Sequence, residues 1–311
     1  MLPSINKLLI IIYLTVSLEW ILDDQFIAIR YLHFGYLFFF LFIIGLAFYL
    51  LLSQPKKLIW LSPALVIISI NFFNPLLPLA SDASASEPLD QNQSFKLLSF
   101  SINSRNIQYN AVAKLLTKHP YSLICLQEVP VSRYQQLNAS INKIQASYYQ
   151  GYSTKKSLMV LSKSPIKTLK IEPYLKVSTL IGQKKVTVWN LHSPKSLRIK
   201  QHQSNYFDIL QADIKKDNSP HKIICGDFNS TPHNDIIRRL KRDFHAAHQH
   251  TFWPLSYTYP SLKSFISTPL PFIKIDFFLL SNSITVLQYQ RLREYANSDH
   301  YPITTTITFQ E

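Results

Sequence analysis

Two things are scarce in this 311-residue chain: cysteine, with two residues, and acidic side chains, with 18 against 32 lysines and arginines. Two cysteines are too few for a disulfide scaffold or a thiolate zinc site. Cys125 and Cys225 each sit in an apolar, strand-like run, where a buried free thiol is the default expectation. Formal charge is missing altogether from Tyr31 to Leu52, a stretch of 22 residues, long enough to cross about 30 Å of hydrocarbon. Internal repeats and long low-complexity tracts are absent too.

Leu58 to Ala80 is a second apolar stretch of similar length; its Pro63, Asn71, Asn74, Pro75 and Pro78 can be accommodated by a neighbouring helix or the interface. Leu8 to Leu22 is shorter and carries Glu19; it fits either a third span with Glu19 at the headgroups or a segment lying in the interface. Lys56 and Lys57 occupy the tight turn between the two strong segments, which points that turn to the cytoplasm and sends the chain outward after the last span. So many apolar segments fit poorly with a cleavable signal peptide. The expected organisation is a helical membrane anchor over residues 1–80, a Ser/Ala/Asp-rich linker over 81–93 and a globular part over 94–311. That part would face outward from the inner (plasma) membrane, into a periplasm if the source is a Gram-negative bacterium.

The shortage of acids is uneven. Residues 1–93 hold 4 basic and 6 acidic side chains, leaving 28 basic and 12 acidic for 94–311. A globular part that basic attracts anions: nucleic acid, phosphorylated small molecules or an acidic membrane surface. Against so few acids, four stand at strand ends beside His or Asn: Glu128, Asp227, Asp276 and Asp299. The central case is the run from Ile223 to Pro232. Apolar residues up to Cys225 form a buried strand that stops at Gly226 and releases Asp227 and Asn229 just beyond it. A carboxylate and a carboxamide held there are placed to orient a water and a phosphate oxygen. Thr231 and Pro232 read as the N-cap and first position of a following helix.

Other strands end in the same way. Phe95–Ile102 alternates and leads to Asn103; Ser122–Leu126 leads to Gln127 and Glu128; Lys185–Leu191 leads to His192. Ile275 and Asp276 open the apolar run Phe277–Leu280, and Ser298-Asp299-His300 precedes a closing strand over Ile303–Phe309. Helical spacing appears over Asn106–His119, through Leu137 and Ile141, and over Ser196–Ile214. Strands outnumber helices and the helices lie between them, which predicts an α+β architecture of two packed sheets with helices outside.

Taken together and in order, LQE, NLH, GDFN, KID and SDHYP resemble the endonuclease/exonuclease/phosphatase superfamily over about Lys96 to Phe309. The resemblance implies a four-layer α/β-sandwich of the deoxyribonuclease I-like kind, here preceded by two or three transmembrane helices. It also implies a divalent metal, usually magnesium with manganese as the substitute, and hydrolysis of phosphoester bonds. Carried over residue by residue, Glu128 corresponds to the main metal-binding carboxylate, with Asn103 and Asp299 at or near the metal. Asp227 resembles the residue that orients or deprotonates the attacking water, and Asn229 a phosphate-orienting amide. His300 resembles the histidine at the scissile phosphate, Asp276 the carboxylate that fixes its tautomer, and His192 a second histidine facing a phosphate oxygen.

Two positions depart from the pattern. Ser101 stands where the family usually has an asparagine near the metal, and Lys155 and Lys156 lie where some members place a carboxylate for the second histidine, which implies a His192 less readily protonated. The implied activity is that of a membrane-anchored phosphodiesterase or nuclease acting outside the cytoplasm. Its partners would be a phosphoester substrate, nucleic acid or a phospholipid headgroup, together with membrane lipid and no obligate protein. A sphingomyelinase-like lipid hydrolase and a non-catalytic binding module on the same fold are the alternatives. The basic run Arg238, Arg239, Lys241, Arg242 fits polyanion binding or a solvated helix face, and Trp253, Tyr257 and Tyr259 fit base stacking, lipid contact or core.

Overall fold

Each central strand of the globular part divides its side chains between two faces, and that alternation builds the layers. The computed structural model describes residues 5–22, 27–73, 93–144, 148–195, 200–251, 253–264 and 270–310. In one sheet the order is β11 (Ile284–Arg291), β12 (Ile303–Phe309), β1 (Phe95–Ser101), β2 (Leu123–Gln127), β4 (Leu158–Ser162) and β3 (Tyr149–Ser153). In the other it is β5 (Lys167–Lys170), β6 (Leu175–Ile181), β7 (Lys184–His192), β8 (His221–Asp227), β10 (Asp276–Leu280) and β9 (His245–Ala246). Leu97, Cys125 and Val160 of the first sheet meet Val188, Ile223, Cys225 and Phe278 of the second in the central core. Their sequence neighbours Leu98, Ile124, Leu126 and Met159 point outward, onto α5 (Tyr109–Thr117) and α6 (Val131–Ile144). Ile224, Phe277 and Leu279 likewise meet α7 (Lys200–Lys216) and α8 (Asp235–Leu240). The result is the four-layer α+β sandwich anticipated above.

The strand pairs β1–β2 and β7–β8 are parallel, which requires a crossover helix between their members, and α5 and α7 supply it. Parallel pairing brings the carboxyl ends of β1, β2, β7 and β8 to one edge. Antiparallel β10 starts there, with Asp276 opposite Asp227, and β12 begins beside Ser99. The sheet register therefore gathers all the polar strand ends at one end of the sandwich.

Several expectations change. Cys125 and Cys225 are not free thiols: they form a disulfide between β2 and β8, joining the two sheets. Thr231 and Pro232 do not start the helix; α8 begins at Asp235 with Asn234 as N-cap residue, because Thr231 is engaged elsewhere. The apolar run from Tyr31 is broken at Gly35 into α2 (Ile27–Phe34) and α3 (Tyr36–Ser53). With α1 (Ile5–Leu22) and α4 (Pro55–Phe73) these form a separate apolar cluster. Of these, α3 and α4 are long and apolar enough to cross a membrane. The expected linker over 81–93 lies, but for Gln93, outside the described residues.

Candidate active site

At this end Asn103 (φ 64°), Glu128 (φ 59°) and Asn229 (φ 44°), among others, adopt backbone that side-chain-bearing residues seldom take. Such left-handed residues cost about 1–3 kcal/mol each and persist where surrounding contacts over-determine them. The contacts are present. The Ser104 N–H donates to Glu128 Oε2 (2.8 Å), and Val129 N–H to Ser157 O (2.8 Å). Arg105 N–H donates to Asn103 Oδ1 (2.9 Å), and Asn229 N–H to Asp227 Oδ1 (2.8 Å). One amide N–H of Asn229 donates to Ser193 O (2.9 Å). Gly226 is needed for a different reason. At φ +133° a Cβ there would lie 2.1 Å from Leu191 O, so only glycine lets β8 end this close to β7.

Five side chains then form a continuous line. Asp276 Oδ2 bonds His300 Nδ1 at 2.9 Å; His300 Nε2 stands 3.7 Å from Asp227 Oδ2. The same Asp227 oxygen lies 3.8 Å from His192 Nε2, which is 3.6 Å from Glu128 Oε1. The longer separations exceed a direct hydrogen bond, so these imidazoles and carboxylates face one another as charges rather than as bonded pairs. Beside the line, Asn103 Nδ2 donates to Asp299 Oδ1 at 3.0 Å. Asn229 completes the set, so the structure brings all eight anticipated residues to one end of the sandwich.

Electrostatics separates the roles these groups can take. Burial pushes the Asp227 carboxyl up to about 6, an effect that the charge of His300 only partly offsets and that of Asp276 reinforces. Burial opposes charge on His300, but Asp276 and Asp227 outweigh it and hold the imidazolium up to about 10. Glu128 shows the reverse balance. Burial raises it, yet His192, the Ser104 N–H and His300 together bring it below the ordinary carboxylate range. The line thus holds an ionised Glu128, a charged His300 and between them a carboxyl that takes up or releases its proton near neutrality.

Two groupings offer cation ligands. Asp227, Asp276 and His300 present donor atoms within 4.8 Å of one another, but His300 already spends Nδ1 on Asp276 and its positive charge opposes a second cation. Glu128, Asn103 and Asp299 supply oxygens alone, from two carboxylates and an amide, the donor set of a hard cation that keeps most of its waters. Next to Glu128, the buried hydroxyl of Ser101 has no hydrogen-bond partner among the described residues, and Ser101 pairs in register with Gln127. A buried, unpartnered oxygen one strand away from the Glu128 strand end fits a hydrated cation held nearby, so the departure at Ser101 keeps an oxygen donor.

Sequence reasoning missed the layer beneath. Gln127 Nε2 donates to Asn190 Oδ1 (2.7 Å), and Asn190 Nδ2 to the carbonyls of Leu126 and Met159 (both 2.9 Å). This buried bridge ties the strand ends carrying Glu128 and His192 across the two sheets. Its signal was the amides inside LQE and NLH. Ser298 is a second such residue, donating to Ser101 O (2.6 Å) and accepting from His300 N–H (3.1 Å). Among the residues singled out for polyanion binding, Arg239 pairs with Asp235 at 2.9 Å. Tyr257 is core, and the Tyr259 ring lies 5.1 Å from that of His300. The Trp253 side chain is outside what the structure describes. Lys155 pairs with Glu172 (2.9 Å), while His192 draws its carboxylate neighbours from Glu128 and Asp227.

The model of the Endonuclease/Exonuclease/phosphatase family matches residues 94–300. No curated protein matches the chain in sequence. Among solved structures, an endonuclease/exonuclease/phosphatase family protein from Bacteroides thetaiotaomicron is 15% identical, with a TM-score of 0.55 over 70% of this chain and 98% of its own. A truncated TDP2 from Caenorhabditis elegans is 18% identical, with a TM-score of 0.55 over 69% of this chain and 97% of its own. A TDP2 from D. rerio complexed with single strand DNA product is 13% identical, with a TM-score of 0.54 over 69% and 99%. With the family model spanning more than half its length and the polar strand ends converging as described, the chain belongs to the Endonuclease/Exonuclease/phosphatase family and carries a phosphoester hydrolase domain.

Proposed function

We propose that this chain is a membrane-anchored phosphodiesterase, dependent on a divalent cation, with its catalytic end outside the cytoplasm. The observation that carries the reading is the line from Glu128 through His192, Asp227 and His300 to Asp276. A carboxyl poised near neutrality between two imidazoles suits general-base work on a water. In this reading Asp227 takes the proton of the attacking water. The His300 imidazolium, oriented by Asp276, and the free N–H of the Asn229 amide stabilise charge on the phosphate oxygens. His192 donates a proton or hydrogen bond on the leaving side. A cation held by Glu128, Asn103 and Asp299, with magnesium or manganese as the fit, would supply positive charge to the phosphate when bound.

Residues 1–80 serve as the anchor, 81–93 as the linker and 94–311 as the catalytic part. Lys56 and Lys57 lie in the first turn of α4, next to its connection with α3, so the opposite end of these helices, which meets the globular part, faces outward. The Cys125–Cys225 disulfide suits the oxidising conditions there. The basic globular part favours a polyanionic substrate, and the DNA product in the D. rerio relative makes nucleic acid the first to try.

The test is hydrolysis of bis-p-nitrophenyl phosphate by the full chain in detergent with magnesium. We expect turnover that EDTA stops, manganese restores and Asp227→Ala abolishes. A well-folded protein without turnover, or turnover indifferent to EDTA and to Asp227→Ala, would sink the proposal.

A further inference from the structure

The catalytic loop does not end in solvent. Two residues beyond Asn229, Thr231 Oγ1 donates to the carbonyl of His33 in α2 (3.3 Å). The His233 ring stacks on Tyr36 at the start of α3 (centroids 4.5 Å apart, planes 14° apart) and lies 5.9 Å from Phe72 near the end of α4. Burial, followed by the nearness of His33, pushes His233 down to about 3, so it stacks as a neutral ring. Lining the same cleft as His33, Tyr36 and His233, Phe272 packs edge-on against Phe38 of α3 (4.9 Å), and its N–H donates to Tyr259 O, whose ring lies 5.1 Å from that of His300. The segment bearing Asp227 and Asn229 is thus gripped at one end by β8 and at the other by the anchor.

We propose that Tyr36 and His33 of the anchor are positioning residues for this loop. Through His233 and Thr231 they hold the Asp227–Asn234 segment in the geometry that aims Asp227 and Asn229. The anchor then shapes the active centre as well as tethering it. The physical reason is economy of restraint. Asn229 sits in left-handed backbone, so the loop relaxes unless both ends are fixed. Gln203 contributes part of that restraint, with Nε2 bonds to Ser230 Oγ (3.0 Å) and Asn229 O (3.3 Å). The ring stack supplies the remainder from a different element.

The inference rests on the phosphodiesterase reading above, and the experiment separates the two. Full-length protein in detergent micelles is assayed with bis-p-nitrophenyl phosphate and magnesium, wild type first; absence of wild-type turnover defeats the underlying reading. Given turnover, Tyr36→Ala and His233→Ala should lower kcat at least about fivefold with KM little changed, since misplacement of about 1 Å far from the chemistry can cost up to a hundredfold. Tyr36→Phe and His233→Phe, which keep a ring in the stack, should restore most of it. Ile43→Ala empties a fully buried position deeper in the anchor; it should lower the melting temperature and leave kcat alone. The inference is overturned if Tyr36→Ala and His233→Ala keep wild-type kcat, if the phenylalanine variants do no better than alanine, or if Ile43→Ala loses as much kcat. Should Tyr36→Ala fail to fold, the two His233 variants read the same contact from the globular side.

Discussion

At the residue scale the pH profile is set by two groups whose pKa values are both raised, Asp227 chiefly by burial and His300 by its carboxylate neighbours, against burial. Asp227, raised to about 6, must lose its proton to act as base, so kcat/KM should climb through about pH 6. His300 keeps its proton to about 10, so the alkaline limb should fall there. Both limbs belong to an interacting pair and report apparent values for it. Asp276→Asn removes the nearest charge holding the proton on His300, and we expect the alkaline limb to move down by a unit or more; a limb that stays in place would refute the Asp276–His300 pairing as its cause. The linked stability effect has a definite sign. A histidine raised from 6.5 to about 10 adds stability that is fully present below pH 6.5 and is lost as pH rises through 10. Denaturation midpoints of wild type and Asp276→Asn should therefore converge at high pH.

At the element scale the tolerance of the strand ends is narrow. Gly226→Ala places a Cβ 2.1 Å from the Leu191 carbonyl in backbone that side chains avoid, and we expect a loss on the order of 3–5 kcal/mol or failure to fold, read by urea denaturation. Asn190→Leu keeps the branched shape but strands Gln127 and two carbonyls, costing about 1–3 kcal/mol by the same measurement. Strands such as β8 were legible because an apolar run followed by a polar turn is local information. β3 and β11 were not, since YQGYS and ITVLQYQR mix polar and apolar residues at the margins of their sheet. Thr231 misled for a physical reason: its hydroxyl serves His33 O and the Asn234 side chain, a tertiary demand that overrides its preference for capping. The break at Gly35 escaped notice because Phe34 and Tyr36 flank it inside an uncharged run, and no proline or charge marks the stop.

At the scale of the whole molecule, the site was legible as five short motifs, whereas its supports were not. Amide bridges between sheets and a pairing of cysteines 100 residues apart depend on register that no local pattern carries. The disulfide closes a long loop, so in the chain-entropy picture its loss should cost about 2–5 kcal/mol, visible as a lower melting temperature in dithiothreitol. Unchanged melting under full reduction would show that the bond contributes nothing to the fold's stability. Its placement matters more than its loop length. Cys125 is three residues before Glu128 and Cys225 two before Asp227, so a single covalent bolt fixes the spacing of the strands that carry the two carboxylates. Protein harvested from a reducing cytosol would be a different chemical species from protein folded under oxidising conditions, and specific activities from the two preparations should not be pooled until a thiol titration shows which one is in the tube.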